Sequence, residues 1–144
     1  MPVIKSIKIN KRDPVLLKWR QMVTKNLRLL RQGPNTQLLP LQFARYKVKK
    51  EDELWHIISA TALNVDTLAQ INQLSSIHDV KEGDWLLIPN MRGVFRQVSA
   101  QTKVQDFLRK WGISRSHLYS ANKYAYIINN KRFIFVPGGE LTSL

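Results

Sequence analysis

The chain has 144 residues, of which 44% are apolar and 23% charged, and its 23 Lys and Arg against 10 Asp and Glu give a net charge of +13. This composition is typical of a globular protein and excludes a wholly disordered or collagen-like chain. No stretch approaches the roughly 20 apolar residues that cross a bilayer, and Met1–Asp13 mixes isoleucines with cations, so neither a transmembrane helix nor a secretory signal is expected. The absence of cysteine excludes disulfides, thiolate metal sites and cysteine nucleophiles.

The positive charge is concentrated in the first third of the sequence. Residues 1–50 contain 13 Lys and Arg and a single acid, Asp13, whereas residues 51–144 contain 10 cations and 9 acids. Asp13-Pro14 favours a helix start, with Asp as the N-cap and Pro in the first turn. The pattern predicts a helix over residues 14–31, with an apolar stripe of Leu16, Trp19, Val23, Leu27 and Leu30 opposite the cations.

Three roles are open for this basic amphipathic helix. Its apolar stripe is suited to packing on the following residues as a brace, which we favour because Trp19 with four aliphatic residues is more apolar surface than a soluble protein usually exposes. Its cations are suited to an acidic membrane surface or an anionic polymer, contacted through residues 1–31. Nucleic acid is the least favoured partner of the three.

An internal repeat follows at an offset of 50 residues. Without a gap, the register aligns apolar positions and helix-start positions from Val48 with Val98 to Asn72 with Asn122. The second copy is then two residues shorter, and both copies close on an apolar run ending in proline, at Pro89 and Pro137.

Each copy is predicted to fold as strand, helix, helix, strand. Asp52 is the expected start of the first helix in copy one, and Thr102 with Gln105 forms the expected capping box in copy two. Asn64 and Ser114 are the expected N-caps of the second helices, and Gly112 ends the first helix of copy two. Asn72 and Asn122 are expected to bond backbone groups.

The first copy resembles a LysM module. The resemblance lies in the opening run from Tyr46 to Ile57, in Asn72, and in the closing run from Val80 to Pro89. The family's Gly-Asp-Thr-Leu-Trp motif has departures here only at Glu51 and Glu53, whereas the second copy departs more strongly, with Gln101-Thr102-Lys103-Val104-Gln105. The arrangement also resembles the region that precedes the catalytic domain of bacterial lysostaphin-type metallopeptidases.

The resemblance implies an α+β fold of two tandem βααβ LysM modules preceded by the basic helix. The implied organisation is an N-terminal segment at 1–45, LysM 1 at 46–90, a degenerate LysM 2 at 94–137, and a tail at 138–144. The four residues 90–93 join the modules, and so short a joint predicts that the modules pack together.

The resemblance further implies non-catalytic binding of an N-acetylglucosamine-containing glycan, peptidoglycan or a chitin-like polymer, by a protein of the cell envelope. Carried onto this sequence, one wall of the shallow groove is Glu51, Asp52, Glu53 and Leu54, and the other is Gln73, Leu74, Ser75, Ser76, Ile77 and His78. Asp52 and Leu54 can equally serve as a helix cap and a core residue.

No residue pattern indicates catalysis. The three histidines lack zinc-site spacing, there is no Gly-rich phosphate loop, and the adjacent acids at 51–53 do not form a glycosidase pair. We therefore expect no cofactor, no metal and no enzymatic activity. The alternative to glycan binding is an interaction scaffold that recognises a protein, an anionic lipid or nucleic acid through its basic N-terminal segment.

Overall fold

Two strand-helix-helix-strand units follow a long N-terminal helix. The structure is a computed structural model that describes residues 4–76, 78–124, 126–128 and 131–140. The elements in chain order are β1 (Lys5–Ser6), α1 (Pro14–Gln32), β2 (Phe43–Lys47), α2 (Leu54–Thr61), α3 (Val65–Ile71), β3 (Trp85–Pro89), β4 (Gly93–Val98), α4 (Val104–Trp111), α5 (Arg115–Ala121), β5 (Tyr126–Ile128) and β6 (Lys131–Pro137). The expected α+β class is confirmed.

The first unit, residues 43–89, is built on the antiparallel pair β2 and β3. Their register runs from Phe43 opposite Pro89 to Lys47 opposite Trp85. Strand β1 extends this sheet by pairing in parallel with β2, which the sequence pattern did not predict. The helices α2 and α3 cover the sheet, and the core that results includes Ala44, Tyr46, Val48, Leu54, Ile57, Leu63, Leu68, Leu86 and Ile88.

The second unit, residues 93–137, repeats this order but closes differently. Strand β4 pairs antiparallel with β6, and β5 adds to the other edge of β6. The segment between α5 and β6 therefore contributes a strand that has no counterpart among the described residues of the first unit. Gly93 begins β4 with a φ of 153°, and a Cβ there would lie 2.4 Å from the Val136 carbonyl oxygen, so only glycine fits.

The N-caps of α3 and α5 are the residues predicted from the sequence, whereas the N-caps of α2 and α4 differ from the prediction. The side chains of Asn64 and Ser114 accept from the N–H groups of Thr67 and His117, which confirms both N-caps. Gly112 ends α4 in the left-handed region, also as expected.

The expected caps of α2 and α4 are wrong by one residue. The N-caps are Glu53 and Lys103. Asp52 and Thr102 instead accept hydrogen bonds from the N–H groups of the residues three positions earlier, at 2.7 and 3.1 Å. Their short oxygen-bearing side chains close the turn before the helix, which is the alternative local use of such residues.

Helix α1 packs its apolar stripe on the first unit. Leu16, Trp19 and Val23 are buried in the same core as the sheet. The Trp19 indole N–H donates to the Ile88 carbonyl at 2.9 Å, and the Arg20 guanidinium donates to the Ser59 carbonyl. The stripe is therefore an intramolecular brace. No helix among the described residues is long and apolar enough to span a membrane.

The two units share a core and polar contacts, as the short joint predicted. The rings of Phe43 and Phe95 stack with centroids 6.2 Å apart. The Gln70 side chain donates to the Phe95 carbonyl and accepts from the Phe95 N–H, at 3.2 and 3.0 Å. The buried members of this shared cluster are Leu38, Leu41, Phe43, Met91, Phe95, Ala121 and Phe135.

Candidate functional site

Two loops of the first unit lie at the same end of its sheet. The first leaves β2 after Lys47 and leads to α2, and the second enters β3 at Trp85, which is opposite Lys47 in the ladder. The Val48 N–H donates to the Asp84 carbonyl, and the Gly83 N–H donates to the Val48 carbonyl, at 2.8 and 2.9 Å. These bonds fix the two loops side by side.

The first loop is held by the carboxylate of Asp52. Its Oδ2 accepts from the Lys49 N–H at 2.7 Å and from the hydroxyl of Tyr46. Burial, followed by the hydrogen bond and the charge of Asp52, raises the pKa of Tyr46 well above its usual range, so the phenol stays protonated as the donor. Asp52 therefore shapes the loop from inside.

Glu51 occupies a left-handed conformation in this loop, with a φ of 70°. This is the position at which the family motif has glycine, and the conformation explains why glycine is suited to it. The Glu51 side chain is exposed. Because Glu51 has a Cβ, its backbone is strained in this conformation, and a glycine at this position would not be.

Glu53, Leu54 and Trp55 form the start of α2 and point in different directions. The Glu53 carboxylate accepts from the indole N–H of Trp55, and the Glu53 N–H donates to Nδ1 of His56 at 3.2 Å. Leu54 is only 2% exposed, whereas Trp55 is 57% exposed. Leu54 thus supports the loop from the core. Trp55, which the sequence-based list of wall residues did not include, is exposed beside Glu53, and its ring packs against that of His56 with centroids 3.9 Å apart.

The second loop is held by the carboxylate of Asp79. Its Oδ2 accepts from the N–H groups of Ser75 and Ser76, both at 2.9 Å. The His78 N–H donates to Oγ of Ser76 at 3.2 Å, and Leu74 packs against the core of the first unit. Side chains of Gln73, Ser75, Ser76 and His78 are exposed on this loop. Ile77 lies outside the described residues.

Asn72 and Asn122 serve the backbone, as expected. Each side-chain oxygen accepts from a strand N–H, that of Leu87 at 2.7 Å and that of Phe135 at 2.8 Å. Each amide nitrogen donates to the carbonyls of the preceding helix and of the same strand residue. Neither side chain is available to a ligand without breaking these bonds.

The arrangement is a pair of loops held by hydrogen bonds between carboxylates and backbone N–H groups. Of the expected wall residues, one is buried, Leu54, and two are half-buried, Asp52 and Leu74. The six that are exposed are Glu51, Glu53, Gln73, Ser75, Ser76 and His78. Within the part of the chain that the structure describes, no three His, Asp or Glu side chains come together as a metal site.

The LysM family model matches the residues that carry these loops. The match extends over residues 46–89. Residues 46–89 form a LysM domain. LysM is a binding domain rather than a catalytic one, and such domains generally bind peptidoglycan and other N-acetylglucosamine-containing glycans. They are typical of cell-envelope and extracellular proteins.

Among solved structures, the chain is similar to the spore cortex-lytic enzyme SleL of Bacillus megaterium QM B1551. The two are 23% identical, with a TM-score of 0.30 over 65% of this chain and 22% of the SleL chain. The matched part is thus a small fraction of that enzyme. No curated protein matches the chain.

The second unit has a different surface at the position equivalent to the LysM loops. Val104, which corresponds to Leu54, is 37% exposed, and a cleft of about 490 Å³ opens beside it between the loop before α4 and strand β6. In the first unit, Leu74 and Val80 from the loop between α3 and β3 pack against the equivalent core. The second unit has strand β5 in this segment instead.

Proposed function

We propose that this protein binds an N-acetylglucosamine-containing glycan of the cell wall through the two loops of the LysM domain, without catalysing a reaction. The observation that carries the proposal is the pair of adjacent loops in residues 46–89. Each loop is held by a carboxylate that accepts from backbone N–H groups, the half-buried Asp52 in the first and the exposed Asp79 in the second, while most of the other loop side chains are exposed. A fixed loop loses little conformational entropy when a ligand binds. The exposed indole of Trp55 adds an apolar face for a sugar ring beside the polar groups that an acetamido group requires.

The second unit is, on this proposal, a degenerate LysM copy that supports the first. It shares the order of elements and the paired asparagine with the first unit. Its charge is opposite, because residues 95–137 contain eight Lys and Arg and one acid, whereas residues 46–90 contain four cations and seven acids. Such different surfaces favour a spacer or docking role over a second equivalent glycan site.

The whole protein would then direct a cell-envelope protein or a wall hydrolase to its polymer. This role follows from the binding character of the LysM domain and from the predicted resemblance to the N-terminal region of wall metallopeptidases. The second candidate function, adhesion to an anionic surface, is supported by the exposed cations on α1, which include Lys18, Lys25 and Arg28.

The test is retention on insoluble peptidoglycan, with soluble N-acetylglucosamine oligomers as competitors. Replacing Ser75 with Trp places a bulky ring on the exposed side of the second loop while keeping the Ser75 N–H that bonds Asp79. We expect the competable retention to fall at least about tenfold, which corresponds to roughly 1.4 kcal/mol of binding free energy.

The matched control is Gln21→Trp, which adds the same ring to an exposed position of α1. It should bind like the unmodified protein. The proposal that the two loops bind glycan would be refuted by either of two results. The first is retention that soluble oligomers do not compete, and the second is unchanged retention in a folded Ser75→Trp variant.

A further inference from the structure

A separate cleft opens where three parts of the chain meet. It has a volume of about 450 Å³, within the usual size range of small-molecule sites. Its walls come from the end of α1 and the residues after it, from β4 and the turn between α4 and α5, and from the residues that follow β6. Most of its lining residues belong to the second unit, and none belongs to the LysM loops.

Arg96 contributes the charged group of this cleft. Its guanidinium carbon lies 4.2 Å from the ring centre of Trp111, so the two planes form a cation–π contact. Its Nη2 donates to the Glu140 carbonyl at 2.7 Å. Its Nε is buried and is the one buried side-chain nitrogen or oxygen among the described residues that has no hydrogen-bond partner.

An unpartnered, buried guanidinium N–H is costly unless an acceptor reaches it. No acidic side chain lines the cleft in the described part of the chain. The cleft therefore has the charge of Arg96 in its lining and no carboxylate of the described residues to neutralise it.

The other walls restrict the kind of anion. Leu30, Ile113, Val136 and Pro137 make much of the lining apolar, and Arg96 is its single permanent cation. One planar guanidinium matches one planar carboxylate, whereas a phosphate dianion calls for more positive charge. We propose that this cleft binds a monocarboxylate that carries a small apolar group. The carboxylate can come from the C-terminal residue of a short peptide or from a free branched-chain acid.

The wall contributed by the chain after α1 is held in place independently of Arg96. The Thr36 hydroxyl lies within hydrogen-bond distance of the Leu29 and Gly33 carbonyls, and it also lies 2.8 Å from Nε2 of His117. The hydroxyl therefore joins the turn after α1 to the His117 ring of α5. This contact keeps the segment against α5, so the cleft is preformed before a ligand arrives.

The test uses N-acetyl-Ala-Ala and isovalerate as probes, each compared with its amide. Binding is followed through the NMR signal of the Trp111 indole N–H, assigned with a Trp111→Phe variant. We expect the acids to shift this signal saturably and the amides to leave it in place. Binding of the peptide acid alone identifies a peptide terminus as the ligand, and binding of both acids identifies the carboxylate group as sufficient.

Variants separate Arg96 from the general positive charge of the second unit. Arg96→Gln should abolish binding, and Arg96→Lys, which keeps the charge without the planar fork, should weaken it at least about tenfold. Arg109→Gln removes an exposed charge from α4 outside the cleft and should bind normally. If Arg96→Gln does not fold, as judged by the signal of the Trp19 indole, the Arg96→Lys result decides.

Three results would overturn the proposal. The first is the absence of binding by either acid, the second is equal binding of acids and amides, and the third is unchanged affinity in folded Arg96 variants. All three are independent of glycan binding by the LysM loops, because the cleft and the loops have no residue in common.

Discussion

At the scale of single residues, backbone conformation distinguishes the helix-start loops and helix ends of the two units. Glu51 and Ala62 both adopt a left-handed conformation, with φ values of 70° and 64°. In the second unit, the residue equivalent to Ala62 is Gly112, in the same conformation. Gln101, which corresponds to Glu51, has no positive φ. The two units therefore differ in where glycine is required.

Replacing Glu51 with Gly should stabilise the protein. A non-glycine residue in this conformation costs about 1–2 kcal/mol, and the added flexibility of glycine in the unfolded chain offsets roughly 0.5–1 kcal/mol of the gain. We expect the free energy of unfolding in urea to rise by about 0.5–1 kcal/mol. Lys50→Gly is the control, since Lys50 is exposed in the same loop without a positive φ, and it should lower stability. If both variants lose the same free energy of unfolding, the backbone at Glu51 is not strained.

At the scale of elements, hydrophobic periodicity and turn chemistry identified most helices and strands from the sequence. The apolar runs closing at Pro89 and Pro137, the caps Asn64 and Ser114, and Gly112 all lie where local rules place them. The prediction of helix starts failed where one side chain can form either of two local hydrogen-bond patterns. Asp52 is such a case, because its carboxylate can cap a helix or close the preceding turn, and the hydroxyl of Tyr46 favours the second.

Other features depend on contacts that no local pattern specifies. Strand β1 forms because Lys5 and Ser6 pair with Ala44 and Arg45, about forty residues away. Strand β5 likewise depends on β6. The sequence placed the candidate wall residues on two loops, but the burial of Leu54 and the exposure of Trp55 follow from how α2 packs on the sheet. The cleft at Arg96 joins segments far apart in sequence and had no sequence signal.

Helix α3 is joined to strand β4 through Gln70 and through Thr67, whose Oγ1 accepts from the Gly93 N–H at 2.8 Å. Gln70→Ala should weaken this contact between the units. The change removes two hydrogen bonds to the backbone of Phe95. We expect the free energy of unfolding to fall by about 1–3 kcal/mol. Gln105→Ala truncates an exposed glutamine of α4 and should change it by less than about 0.5 kcal/mol. Similar values for the two variants would show that the Gln70 bonds contribute nothing to joining the units.

At the scale of the whole molecule, the N-terminal third connects both units. Helix α1 buries Trp19 in the core of the first unit. The buried side chain of Asn26 donates to the Asn90 carbonyl at the joint and accepts from the Leu39 N–H. The Leu41 N–H then donates to the Ala121 carbonyl of the second unit at 2.9 Å. The segment that carries most of the positive charge is thus also part of the packed structure.

This double use of α1 gives the last prediction. Leu16, Trp19 and Val23 of its apolar stripe are buried, whereas Lys18, Lys25 and Arg28 are exposed. The two functions can therefore be separated by mutation. Trp19→Ala should lower the free energy of unfolding by about 3–5 kcal/mol, as expected for a buried tryptophan. Changing the three cations together to Gln should alter stability little but remove the salt-sensitive part of binding to acidic vesicles, since exposed charges are screened over about 8–10 Å at ordinary ionic strength.

The control for the cation variant is the triple change of Lys103, Arg109 and Lys110 to Gln. It removes the same number of positive charges from exposed positions of the second unit. If α1 provides the anionic contact, vesicle binding measured by sedimentation at increasing salt should be affected mainly by the α1 variant, and retention on peptidoglycan by neither. Equal loss in the two variants would mean that binding follows net charge rather than the exposed side of α1. A cation variant of α1 that unfolds would contradict the assignment of those side chains to the solvent side of the helix.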